Sequence, residues 1–227
     1  MKVGFLHTSP AAIPPLMQFY AREAPEIEIT NLLDDGLLRL FAAKEFDLAE
    51  RRLREMLSVV EQAYGAGLAL VTCSAVPREL MERLRRQASI PVLKIDVPMA
   101  EMAVRAGPRI GVMVTFPPTL EPTTRLLEEA AAEAGVAVEV AACLLPEAYA
   151  ELLGGNPERH DELMLEAIDR LAARPVDALV LAQVSMARLI PKLEGRLKIP
   201  FFSSLTASLA AIRRMSYPTA PSGHGSD

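Results

Sequence analysis

Of the two cysteines in the chain, Cys73 stands where a thiol can do chemistry. It follows the apolar run Leu68-Ala69-Leu70-Val71, is flanked by Thr72 and Ser74, and precedes Pro77 at the mouth of a charged helical segment. Backbone N–H groups at a helix start attract anions and lower a thiol's pKa, and the neighbouring hydroxyls suit a carboxylate. Cys143 lies inside the apolar run 138–145 and reads as a small buried hydrophobe. His7, at the end of the first apolar run, is open to two readings: a second acid/base or orienting group, or a loop histidine bonded to backbone. His160 begins a helix and reads as a bracing residue near the site. Asp34 and Asp35 read as caps, and Met99, Met102, Met186 and Met215 as core or pocket lining.

Composition excludes several classes. With 51% hydrophobic and 23% charged residues in 227, the chain buries a substantial core and is not disordered. A net charge of −5 and Arg pairs set beside Glu in helical patterns argue against nucleic acid as a partner. No apolar run approaches the ~20 residues that span a bilayer, so no membrane is expected either. The opening Lys2-Val3-Gly4-Phe5-Leu6 turns polar too soon for a signal peptide. Two cysteines and three histidines supply neither a disulfide framework nor a metal site. The expected compartment is a reducing cytoplasm.

Short apolar runs alternate with longer amphipathic ones, which predicts an α/β fold with parallel strands and helices on both faces. Strands are expected at 3–6, 27–31, 68–72 and 91–95, with helices at 14–22, 48–65, 77–87 and 99–106 between or after them. The programme then restarts. Arg109-Ile110-Gly111-Val112-Met113-Val114-Thr115-Phe116-Pro117 repeats Lys2-Val3-Gly4-Phe5-Leu6-His7-Thr8-Ser9-Pro10 in character, at an offset of 107 (109 − 2). Leu181-Ala182-Gln183-Val184 matches Val71-Thr72-Cys73-Ser74 at an offset of 110 (183 − 73), and Ile199-Pro200-Phe201 answers Ile90-Pro91-Val92.

The chain is therefore an internal duplication: two pseudo-symmetric parallel-sheet lobes. Residues 1–105 with 205–215 are expected to form the first lobe and 106–204 the second, with 216–227 a disordered tail. Ligands of open parallel sheets bind beyond the carboxyl ends of the strands, which puts the active site in the interlobe cleft. Thr8, Ser9, Thr72, Ser74, Thr115, Thr119, Gln183, Val184 and Ser185 are the expected substrate-binding residues.

The Thr72-Cys73-Ser74 motif, its counterpart one lobe later and the opening Gly4-Phe5-Leu6-His7-Thr8-Ser9-Pro10 together resemble the aspartate/glutamate/hydantoin racemase superfamily. Maleate isomerase and arylmalonate decarboxylase belong to the same group. Asn31-Leu32-Leu33-Asp34-Asp35 and Ser203-Ser204 add to the likeness, which spans residues 1 to about 215. It implies a cofactor-independent racemase or isomerase acting beside the carboxylate of an amino acid or small dicarboxylate, with Cys73 moving the proton. A homodimer is implied too.

Members with two cysteines set them on opposite faces of the substrate's α-carbon. Here the second position is Gln183, which can hydrogen-bond but cannot exchange a proton near neutral pH. Ser185, two residues on, is a poor base without an activating partner. The group opposite Cys73 is then His7, water or a residue not yet placed. A decarboxylase, which needs one proton from one side, is the alternative; an inactive ligand-binding member of the fold is another. Arylmalonate decarboxylase carries its single cysteine in the second half, so a decarboxylase built on Cys73 is expected to give the opposite enantiomer.

Overall fold

The computed structural model describes residues 1–216, so the expected tail at 216–227 lies, but for its first residue, outside the described residues. The first sheet is built from β1 (Lys2–His7), β2 (Glu28–Leu33), β3 (Leu68–Val71) and β4 (Val92–Lys94), in the order β2-β1-β3-β4. The second, β5 (Arg109–Val114), β6 (Glu139–Leu144), β7 (Ala178–Leu181) and β8 (Phe201–Ser203), has the order β6-β5-β7-β8. All pairings are parallel. The expected two-lobed α/β architecture is the one found.

The helices are α1 (Ile13–Glu23), α2 (Leu37–Ala42), α3 (Phe46–Gln62), α4 (Arg78–Gln87) and α5 (Val97–Ala106), then α6 (Leu120–Ala134), α7 (Pro146–Leu153), α8 (Pro157–Ala172), α9 (Ile190–Leu193) and α10 (Ser204–Ser216). The duplication reaches burial as well as order. β1 and β5 are exposed only at their first residue, β3 and β7 are buried throughout, and the edge strands β2 and β6 have the same half-buried, alternating pattern. Strands covered on both faces need continuous apolar runs, and edge strands do not.

The glycine shared by the two opening strands has one physical reason in both lobes. A Cβ on Gly4 would sit 2.5 Å from Cβ of Val60 on α3. One on Gly111 would sit 2.5 Å from Leu179 Cδ2 and 3.1 Å from Leu171 on α8. Only a residue without a side chain lets these helices approach so closely.

Two helices cross between the lobes. Helix α5 follows β4 in sequence, yet Met99, Ala100, Ala103 and Val104 pack with Ile110, Val112 and Val180 of the second sheet. Helix α10 follows β8 and returns to the first sheet, where Leu205, Leu209 and Ile212 join Val3, Phe5 and Leu70. The Tyr20 and Ser208 hydroxyls, 3.2 Å apart, pin it there. By packing, then, α5 belongs with the second lobe although it precedes residue 106. Met99 and Met186 are buried, whereas Met102 and Met215 are exposed, contrary to a lining role.

Candidate active site

In both sheets the chain reverses its direction of winding between the first and third strands of the lobe, the place where open sheets leave a crevice. The loops after β1, β3, β5 and β7 converge there on a cavity of about 50 Å³. Thr8, Ser9, Thr72, Cys73, Ser74, Thr119, Gln183, Val184 and Ser185 line it, together with Ala11, Ala12, Leu38, Phe116 and Tyr149. The structure thus gathers almost every residue expected from the sequence. Thr115 and His7 lie one layer behind.

Ten of the wall residues form five pairs related by the duplication, and the members of each pair differ in chemistry. Ser9 answers Phe116, Ala12 answers Thr119, Leu38 answers Tyr149, Cys73 answers Gln183 and Ser74 answers Val184. The backbone frame is nearly symmetric and its lining is not, so the two faces of a bound molecule meet different groups.

Cys73 is 5% exposed. Burial, the largest influence, pushes its thiol pKa up. The Thr8 hydroxyl and the Ala75 amide against the sulfur, and the Lys94 charge, pull the other way without overcoming it. The net direction is opposite to that expected of a thiol at a helix start: burial outweighs these contacts, and α4 begins only at Arg78. At neutral pH the resting group is the protonated thiol.

Gln183 is held from behind. Its Oε1 accepts from the Thr115 amide at 2.6 Å, the Thr115 hydroxyl at 3.0 Å and the Phe116 amide at 3.2 Å. These donors fix the orientation of the carboxamide and leave its NH2 without a protein partner among the described residues. The Thr119 and Ser185 hydroxyls likewise have none there.

Other hydroxyls are committed. Ser74 donates to the Ala182 carbonyl at 2.6 Å, joining the two lobes beside the cavity. Ser9 and Tyr149 join them again at 3.2 Å, and Tyr149 also packs on Phe116. The Thr72 hydroxyl hydrogen is shared between the Leu6 carbonyl at 3.1 Å and the unprotonated Nδ1 of His7 at 2.8 Å. His7 is fully buried, and its Nε2 donates to Asn31 Oδ1 at 2.8 Å. Burial lowers its pKa, the Asn31 bond opposing, so the ring stays neutral. With both nitrogens engaged and no surface on the cavity, His7 braces Thr72.

His160 is buried too, its Nδ1 2.8 Å from Asp161 Oδ1. Asp161 also accepts from Arg188 at 2.7 Å and Lys192 at 2.6 Å, which ties α8 to the turn carrying Ser185. Asp34 accepts from the Gly36 amide and pairs with Arg52, a brace rather than a cleft residue. Cys143 is half-buried in β6, and burial raises its thiol pKa as well.

Leu38 and Tyr149 were not anticipated; they come from α2 and α7, short helices that follow the edge strands. A larger groove, about 680 Å³, runs between α4 and α6. The cross-lobe ion pairs Arg78–Glu129 (2.9 Å) and Arg125–Glu79 (3.3 Å) join its walls. Size alone does not define a site; the thiol and the unpartnered donors face the smaller cavity. No group of three or more His, Cys, Asp or Glu among the described residues could hold a metal ion. None of the described helices is long and apolar enough to cross a membrane.

This is the fold of a two-lobed racemase-type protein. The family model for Asp/Glu/hydantoin racemases matches residues 17–212, and the chain belongs to that family. Family membership supports a racemase or isomerase function. No curated protein matches the sequence.

Among solved structures, an aspartate racemase homologue from Pyrococcus horikoshii superposes with a TM-score of 0.72 at 16% identity, covering 95% of this chain and 98% of its own. Allantoin racemase from Pseudomonas fluorescens gives 0.69 at 20%, covering 99% and 95%. A glutamate racemase isoform from Bacillus anthracis gives 0.70 at 19%, covering 94% and 81%. At these identities the likeness is one of fold.

Proposed function

We propose that this protein is a cofactor-independent isomerase that moves a proton at the carbon next to the carboxylate of a small amino acid or dicarboxylate, with Cys73 as the protein's acid/base group on one face and water serving the other. The observation that carries this reading is the pairing of Cys73 with Gln183 at equivalent positions of one cavity. Once the resting Cys73 thiol has given its proton to water, the thiolate takes the α-proton as a base and the electron pair passes into an enediolate. Return of the proton to the same face exchanges it with retention; slower protonation of the opposite face by water, whose hydroxide then takes the thiol proton, inverts the centre and restores the thiolate. The charge that develops on the carboxylate needs donors already aimed at it, and the Gln183 amide, Thr119 and Ser185 are free to serve. The chain works as a homodimer in a reducing cytoplasm.

The fixed carboxamide of Gln183 favours a second reading, decarboxylation. There the bond between the α-carbon and the leaving carboxylate breaks, CO2 departs and the electron pair stays on the α-carbon. The Cys73 S–H supplies one proton and is then replenished from water. A thiol that rests protonated suits this order of events.

The test is incubation with L- and D-aspartate, L- and D-glutamate, a hydantoin and an arylmalonate in D2O, beside Cys73→Ala. Deuterium incorporation at the α-carbon of at least one compound, abolished in Cys73→Ala, is expected. CO2 release from the malonate alone selects the decarboxylase. Tight binding with no exchange and no CO2 release overturns both and leaves a binding protein.

A further inference from the structure

Behind the Cys73 loop lies an ion pair that the reaction as described does not use. Lys94 ends β4, in register with Val71 of β3, and is 4% exposed; Asp96 is fully buried. Lys94 Nζ is 3.1 Å from Asp96 Oδ2, and apart from that ammonium neither Asp96 oxygen has a partner. Asp96 precedes α5 but does not cap it. Two charges taken out of water cost several kcal/mol each before their attraction is counted, and a strand end in this place needs neither. A buried pair kept under these terms calls for a use.

The use lies in the third contact. Lys94 Nζ donates to the Ser74 carbonyl oxygen at 3.3 Å. That carbonyl belongs to the same peptide unit as the Ala75 N–H, which lies against the Cys73 sulfur. A trans peptide is planar, so its C=O and N–H point in opposite directions. An ammonium that fixes the oxygen on one side fixes the N–H on the other, and it also polarises the unit so that the N–H is a stronger donor.

We infer that Lys94, held by Asp96, is the positioning residue of the thiol: it acts through the Ser74–Ala75 peptide to aim the amide that steadies the Cys73 thiolate. The charged groups facing the sulfur are Lys94 and Asp96, and the neutral His7 stands behind Thr72. The inference rests on the proposed role of Cys73, but its test needs no substrate.

In a Cys143→Ala background, where Cys73 is the only thiol, the rate of alkylation by iodoacetamide is followed against pH. Lys94→Met is expected to move the midpoint about one pH unit upward, which is about tenfold slower alkylation below both midpoints. An unchanged profile in a folded Lys94→Met protein overturns the inference. A second readout uses the protein with Lys94 intact and does not depend on the variant folding. The Lys94 ammonium nitrogen resonance is expected to shift over the same pH range as Cys73 alkylation, and a flat resonance overturns the inference. A moved profile with no turnover of any substrate leaves Lys94 standing and removes the proposed function. An unmoved profile with Cys73-dependent turnover does the reverse.

Discussion

Cys73 and Gln183 fill one structural position twice: each is the second residue after the third strand of its lobe, and each is met by the threonine that follows the lobe's first strand. Thr8 lies against the Cys73 sulfur, and Thr115 donates to Gln183 Oε1 at 3.0 Å. The duplicated backbone repeats one position, and of its two side chains only the thiol can exchange a proton near neutral pH.

Gln183→Cys therefore puts a second thiol at a place the fold already provides. The expected outcome is inversion of a substrate's stereocentre at least about tenfold faster relative to α-proton exchange, a ratio that corresponds to ~1.4 kcal/mol. Chiral chromatography beside deuterium incorporation gives the ratio. No change in it shows that Gln183 does not face the second side of the α-carbon.

The direction of the Cys73 pKa sets the alkaline side of the stability curve. Its folded pKa lies above the unfolded value, so above the ordinary thiol range the unfolded chain gives up a proton that the folded one keeps. Stability is expected to fall as pH rises through that window, and less steeply in Cys73→Ala. Urea midpoints between pH 7 and about 10 measure it; parallel curves for the two proteins refute it.

On the acid side the sign reverses. Burial holds the pKa values of His7 and His160 below the ordinary histidine value, so their contribution is full above that value and is lost as pH falls through the window beneath it. His7→Gln is expected to flatten the loss of stability between about pH 7 and pH 5. An equally steep loss in the variant contradicts the buried neutral ring.

The two opening-strand glycines differ in what surrounds them. Gly4→Ala drives a Cβ against the fixed Cβ of Val60, whereas Gly111→Ala meets first the mobile end of Leu179. Both are expected to destabilise, by about 1–3 kcal/mol, with Gly4→Ala the worse. Urea denaturation ranks them, and the reverse order overturns the packing account.

The repeat was legible because Gly, Thr and Pro recur at fixed offsets, and each has a job the fold enforces: close helix approach, a hydroxyl at the cleft, a turn after the strand. Cys73, Gln183 and the hydroxyl-bearing loops followed from it. Tyr149 and Leu38 did not, because α2 and α7 are short helices with no motif of their own, and they stand out only once the two lobes are superposed. Lys94 and Asp96 belong to no motif, and only burial reveals them. The return of 205–215 to the first lobe was expected, whereas the passage of α5 to the second sheet is set by which face the helix covers, which periodicity does not report. His7 ends an apolar strand, and its burial is settled by Asn31 on the neighbouring strand, 24 residues away.

Proton transfer from one face by Cys73 is read out in the stereochemical course of exchange. For a substrate found active in D2O, the account predicts α-deuterium incorporation with retained configuration, outpacing inversion at least about tenfold (~1.4 kcal/mol) and abolished in Cys73→Ala. Inversion as fast as exchange, or exchange that survives in Cys73→Ala, contradicts it.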